Sequence, residues 1–166
     1  MGAPIEAVAL GAPGGFGGDG EEVPVGGLMD PETSTPHDPI VALVADQQVS
    51  VSEKLTLGAL ASVLREAAIG AALVSRDDGT TAIVSERDIT RALADGADPD
   101  AVWAADIMSE ELVEADGRDS ILQVAFRMLD EDIRHVVILE DDEVVGLVSA
   151  RDVFRVLAED ALERRD

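Results

Sequence analysis

The sequence predicts a mixed α+β fold made of two βαββα repeats behind an N-terminal segment rich in Gly and Pro. Three observations carry this. Residues 49–94 align with 113–158 at a fixed offset of 64 positions without a gap, and 12 of the 46 aligned positions are identical. Self-similarity at one offset marks a duplicated structural unit. Each copy holds two short apolar runs around an acidic turn, AALVS–RDDGT–TAIVS and HVVIL–EDDE–VVGLVS, which reads as a β-hairpin. Each also holds two stretches with apolar residues at helical spacing.

The elements follow in chain order. Residues 1–39 contain 9 of the 15 Gly and 6 of the 7 Pro. Such a stretch sustains neither helix nor ladder well, so it reads as a flexible tail. The first copy then spans 40–103 and the second 104–166. Short strands are expected at Val49–Val51 and Leu112–Glu114. An amphipathic helix follows each. In the first copy it carries Leu57, Leu60, Ala61 and Leu64 after Thr56. In the second it carries Ile121, Val124, Ala125, Met128 and Leu129 after Ser120. Thr56 and Ser120 are the expected N-caps. The hairpin comes next, then a last helix opening at SERD or SARD. Pro99 breaks the loop between copies, and Trp103 and Met108 are expected to fill space between the repeats. A unit of about 55 residues is marginal alone, so the two are expected to pack sheet against sheet.

Composition narrows the function. Acidic residues number 35 against 12 basic, a net charge of -23. That field repels phosphate backbones and anionic lipid, so neither nucleic acid nor membrane is an expected partner. There is no Cys, which removes thiolate metal sites and Cys nucleophiles. His37 and His135 are the only His residues, too few for a His-built zinc site within one chain. No apolar run approaches the roughly 18 residues of a membrane span. A cytoplasmic location is the default. No nucleophile–base set and no phosphate loop is visible, so an enzyme is not expected. The acid pairs Asp77/Asp78 and Asp141/Asp142 read as solvated turns rather than Mg²⁺ ligands.

Chemistry concentrates where the second hairpin strand meets the last helix: AIVSERDITRAL and GLVSARDVFRVL. Ser85 with Asp88, and Ser149 with Asp152, have the spacing of a capping box. Arg87 and Arg151 fall in the first helical turn, where a cation opposes the helix dipole by about 0.3–1 kcal/mol. Arg91 and Arg155 follow at i+4. Free amides beside Arg make an anion site; salt bridges to neighbouring acids are the alternative use of the Arg residues.

These tandem units, with the stretch IRHVVILEDDEVVGLVSARDVF and the preceding ADIMSEELVEADGRDSILQVAFRMLDED, resemble a pair of CBS domains, a Bateman module, over roughly 40–158. The resemblance implies a regulatory sensor that binds an adenosine-containing ligand in a cleft between the paired repeats and acts on an effector protein in trans. The nucleotide is then a regulatory ligand, and no cofactor is implied. It implies that Asp88 with Ser85, and Asp152 with Ser149, hold ribose or phosphate, and that Arg87 and Arg151 meet phosphates. Adenine would sit among Val51, Ile69 and Ala71 at one site and Ala115, Ile133 and His135 at the other. Gly146, against Ala82 in the first copy, would let a ligand approach the strand. Family members pair through their helices, so a homodimer is expected, with Phe126 and Met128 supplying apolar surface. A ligand-free interaction module is the alternative.

Overall fold

A computed structural model describes residues 8–10, 34–45 and 48–164. They form two compact units. The first contains β1 (Val8–Leu10), β2 (Gln48–Ser52), α1 (Leu57–Ala67), β3 (Ala71–Ser75), β4 (Thr81–Ser85), α2 (Glu86–Ala94) and a short α3 (Ala104–Ile107). The second contains a 3₁₀ turn (Ile40–Leu43), β5 (Glu114–Asp116), α4 (Ile121–Asp130), β6 (His135–Glu140), β7 (Glu143–Ser149) and α5 (Ala150–Glu163). From β2 and from β5 onward the order is strand–helix–strand–strand–helix, as the repeat implies. The strand expected at Leu112–Glu114 lies slightly later, at β5.

The first sheet has the order β1-β2-β3-β4 and the second β5-β6-β7, and β3 and β6 each pair parallel on one side and antiparallel on the other. β2 runs parallel to β3, and β3 antiparallel to β4. β5 and β6 are parallel, β6 and β7 antiparallel. One face of each sheet carries the helices. In the first unit Val51, Ala72, Val74, Ala82 and Val84 meet Leu57, Leu60, Leu64 and Ile89. In the second, Ala115, Val136, Ile138 and Val148 meet Ile121, Val124, Met128, Val153 and Val156. The helix spacing read from the sequence therefore gives the core, with one correction. Leu129 is exposed and Met128 buried, because an apolar stripe of 121, 124, 125 and 128 already fills the face turned to the sheet.

The caps form as expected. Thr56 accepts from the Ala59 amide, and Ser120 from the Gln123 amide while Gln123 reaches back. The hairpin turns are short. Glu140 pairs with Glu143, so Asp141 and Asp142 form a two-residue loop with φ of 49° and 64°. Both values are positive, the signature of a type I′ turn.

The segments ahead of each copy are exchanged. Residues 34–45 precede the first copy but pack on the second unit, where Ile40 is fully buried and Leu43 and Val44 pack beside it. Residues 102–109 precede the second copy but pack on the first, through Ala104, Ile107 and Met108. The repeat offset maps Ala104 to Ile40, Ile107 to Leu43 and Met108 to Val44. The hydrogen bonds correspond too. Ala104 N–H donates to Leu55 O and Ile40 N–H to Asp119 O. Leu57 N–H donates to Val102 O and Ile121 N–H to Asp38 O. In the latter two bonds the foreign segment's carbonyl satisfies an otherwise orphaned amide at the start of α1 or α4. Most of residues 1–39 lie outside the described residues. Within that span, Val8–Leu10 pair antiparallel with β2, and Ser34 and Pro36 are buried on the second unit. Trp103, expected to fill space between the repeats, is about half exposed at the start of α3.

Candidate functional site

Both strand–helix junctions carry the same constellation. Ser85 ends β4 and caps α2. Its amide and hydroxyl both donate to Asp88 Oδ2, at 2.9 and 2.6 Å. Ser149 ends β7 and caps α5. Its amide donates to Asp152 Oδ2 at 3.2 Å, its hydroxyl donates to the same oxygen, and the Asp152 amide donates back to Ser149 Oγ at 3.4 Å. The capping boxes are therefore formed.

The Arg residues divide into two kinds. Arg91 approaches Asp88 Oδ1 at 3.7 Å, and Arg155 approaches Asp152 Oδ1 at 3.1 Å. Arg87 and Arg151 are exposed and carry no ion pair among the described residues. Each carboxylate is thus held by one oxygen in its cap and by the other in an Arg contact. The Asp152 side chain is 34% exposed against 16% for Asp88, so the second carboxylate is the more accessible.

Strand register decides what else reaches the junctions. Ala71 lies opposite Ser85, and His135 opposite Ser149. Directly opposed residues share a sheet face, so these pairs belong to one site each. The Ala150 amide donates to Arg134 O at 2.8 Å, and the Glu86 amide to Gly70 O at 2.9 Å, fastening the start of β6 or β3 to the helix start.

The proposed adenine residues are not all brought there. Val51 pairs with Val74 and Ala115 with Ile138, and both sit in the helix-facing cores. Ile69 and Ile133 pack against the same cores. The physical reason is strand alternation: successive side chains take opposite faces, and Ser85 and Ser149 project on the face away from the helices. Val49 and Val51 accordingly share one face of β2, in or against the first core. The residues that share the junction face are instead Leu73 and Ile83 in the first unit, and Val137 and Leu147 in the second, by their pairing in the ladders. Gly146 is buried and opposes Ile138, as Ala82 opposes Val74 in the first unit.

The acidic turns are internally used. Asp77 pairs with Lys54, and Asp78 accepts from the amide and hydroxyl of Thr80 at 2.9 and 2.6 Å. Those bonds hold the Asp78 carboxyl below its ordinary range. Arg118 approaches Asp141 at 3.5 Å. No cluster of three or more metal-ligating side chains occurs among the described residues. No helix among them is long and apolar enough to cross a membrane.

Fold and junction together define a tandem βαββα module with a Ser–Asp–Arg element at each copy's last helix. The CBS domain family model matches residues 28–95 and 104–159, and the chain belongs to that family, with two copies. Hypoxic response protein 1 of Mycobacterium tuberculosis is 32% identical over 114 residues, covering 68% of this chain and 80% of that protein. A CBS domain protein of Pyrobaculum aerophilum, solved in complex with AMP, is 31% identical with a TM-score of 0.65, covering 75% of this chain and 98% of that one. A CBS domain pair solved with 5′-methylthioadenosine and S-adenosyl-L-methionine has the same fold at 20% identity and a TM-score of 0.66, covering 75% and 99%.

Proposed function

We propose that this chain is a regulatory module that binds an adenosine-containing ligand at its strand–helix junctions and acts on a partner protein in trans, without catalysis of its own. The observation that carries this reading is the pair Arg87 and Arg151. In a chain of net charge -23, both stand beside helix N-termini without an ion pair among the described residues. A phosphate there would gain the cation and the oriented amides together. The AMP complex of the 31%-identical relative supports adenosine as the ligand class. A ribose diol would donate to Asp152 Oδ1, exchanging an intramolecular Arg155 contact for charge-assisted O–H bonds. The reading includes pairing of the chain as a homodimer, a cytoplasmic location, and neither nucleic acid nor membrane as partner.

Thermal shift and calorimetry with AMP, ADP and ATP test it. A ligand at 100 times its dissociation constant raises stability by about 2.7 kcal/mol. Asp152→Ala should weaken binding roughly 10- to 150-fold, the loss of a charged acceptor worth about 1.5–3 kcal/mol. Asp88→Ala should do less, its carboxylate being the more buried. If wild type binds and both variants bind equally well, the ribose assignment is wrong. If no adenosine ligand binds wild type, the junctions are helix caps only. The interaction-module reading then takes over, and the exposed apolar side chains of α4 and α5 are what favour it.

A further inference from the structure

The two sheets correspond under the repeat offset, but their outer edges are closed by different means. In the first unit Glu53 N–H donates to Ser75 O at 3.2 Å. The odd residues of β2 therefore bond inward to β3, and Gln48 and Ser50 turn their backbone groups to the outer edge. In the second unit Val137 N–H donates to Val113 O at 3.0 Å, and Gly117 N–H to Leu139 O at 2.7 Å. Glu114, the counterpart of Ser50, thus faces outward in the same way. That edge is closed without a further strand. Arg127 donates to Glu114 O, and Glu114 and Asp116 are exposed carboxylates, charges that keep another strand from adding. The first unit has neither device. The offset puts Val63 where Arg127 stands, and Ser50 and Ser52 where the two acids stand. β2, QVSVS, is five uncharged residues long, against three for β5. What lies on its edge is β1. Val8 pairs with Ser50 and Leu10 with Gln48, the two positions at which both residues exchange backbone bonds.

We propose that β1 is a guard strand that closes the outer edge of β2 against strand addition, and that the edge beneath it docks an extended strand of another chain when β1 is withdrawn. The strand that fits is β2 of a second copy. Val49-Ser50-Val51 reads the same in both directions, so two β2 edges can pair antiparallel about Ser50 across a two-fold axis. Neither edge brings a charge to the seam. The opposite edge of the same sheet is already engaged, since Ser109 and Ile83 of β4 exchange backbone bonds at 2.8 and 3.1 Å. β1 is suited to withdrawal, because a ladder of three residue pairs holds it. This inference rests on neither the ligand nor the homodimer reading.

Hydrogen exchange and light scattering on the full-length chain test it, at about 0.3 M salt so that self-repulsion is screened. Val8→Pro combined with Leu10→Pro removes the two amides that face Ser50 and Gln48. The Ser50 amide should exchange at least about 10-fold faster in that variant than in the wild type. The circular dichroism melt should be nearly unchanged, because the core residues described begin at Ile40. At about 100 µM the variant should form species larger than the wild type's. Adding Ser52→Lys, at an exposed position of β2, should restore the wild-type size. A lysine lowers the net negative charge of the chain, so that rescue comes from a charge on the edge and not from repulsion between molecules. A Ser50 amide that exchanges as in the wild type overturns the guard. An amide that opens without growth in size, or growth that Ser52→Lys leaves untouched, overturns the docking edge.

Discussion

Ile40 offers a sharp test of the exchanged segments. It lies in a short apolar run just after the Gly- and Pro-rich stretch, yet no part of its side chain is exposed. It packs in the second unit's core with Ala115, Ile121, Val124, Met128, Val136, Ile138, Val148, Val153 and Val156. Its amide is bonded to Asp119 O at 2.7 Å, and the next amide to Gly117 O at 3.1 Å. A Cβ on Gly117 would lie 3.2 Å from Val41 Cβ and 2.9 Å from Glu140 Cγ, so the segment is closely seated there. Ile40→Ala should cost about 2–5 kcal/mol, and Ile40→Val about 0.5–1.5. For a unit of this size each kcal/mol lowers the melting temperature by about 4–8 °C. The Ala variant should therefore melt more than about 8 °C below wild type, with the Val variant between them. Far-ultraviolet circular dichroism reads the loss. If Ile40→Ala melts within about 2 °C of wild type, the assignment of residues 34–45 to the second unit is wrong. The same packing limits how much of the N-terminal stretch can be removed. A deletion through residue 39 takes away Asp38 O and Pro36 O, which accept from the Ile121 and Leu122 amides at the start of α4.

Further expectations concern the turns. Ala68 ends α1 at φ 55°, a left-handed conformation that costs a residue with a Cβ; Ala68→Gly should raise stability by about 1 kcal/mol in denaturant titration. Asp142→Gly would turn the Asp-Asp loop of the second hairpin into Asp-Gly, the favoured type I′ pair, and should add about 0.5–1 kcal/mol by the same assay; a loss would mean that the loop has another conformation. Thr80→Val removes the hydroxyl donor to Asp78, so the Asp78 carboxyl, held below 3.8, should titrate closer to that value by NMR.

Much of this architecture was legible because its determinants are local. Thr56, Ser120, Ser85 and Ser149 announce helix starts through side chains that reach only three residues ahead. The acidic turns sit between apolar runs of strand length. The helix stripes follow from spacing, and the one error, Leu129, comes from a stripe broader than the core needs. Ownership of residues 34–45 was not legible. IVALV and ADIM are both short apolar runs, and their equivalence under the repeat offset is visible, but no local signal says which copy they pack on. The adenine roles of Val51 and Ala115 follow from the family resemblance alone, and the packing of both side chains in the helix-facing cores is a tertiary outcome that strand alternation by itself does not specify.

The two exposed Arg residues supply a test in which stability and binding move oppositely. The caps account for Ser85, Asp88, Ser149 and Asp152. Ion pairs to those carboxylates account for Arg91 and Arg155. Neither accounts for Arg87 or Arg151, the second residues of their helices. A cation in the first turn opposes the helix dipole, so each is placed at a cost to folding. Arg151→Gln keeps a long polar side chain and removes the charge. It should therefore stabilise the ligand-free protein by about 0.3–1 kcal/mol. The same change should weaken a phosphorylated adenosine ligand, more for ATP than for AMP, and should hardly affect adenosine itself. The contrast should shrink as salt rises. A merely solvated arginine would show the gain in stability without the loss of affinity. If Arg151→Gln binds ATP as tightly as wild type does, Arg151 does not meet phosphate, whatever the ligand.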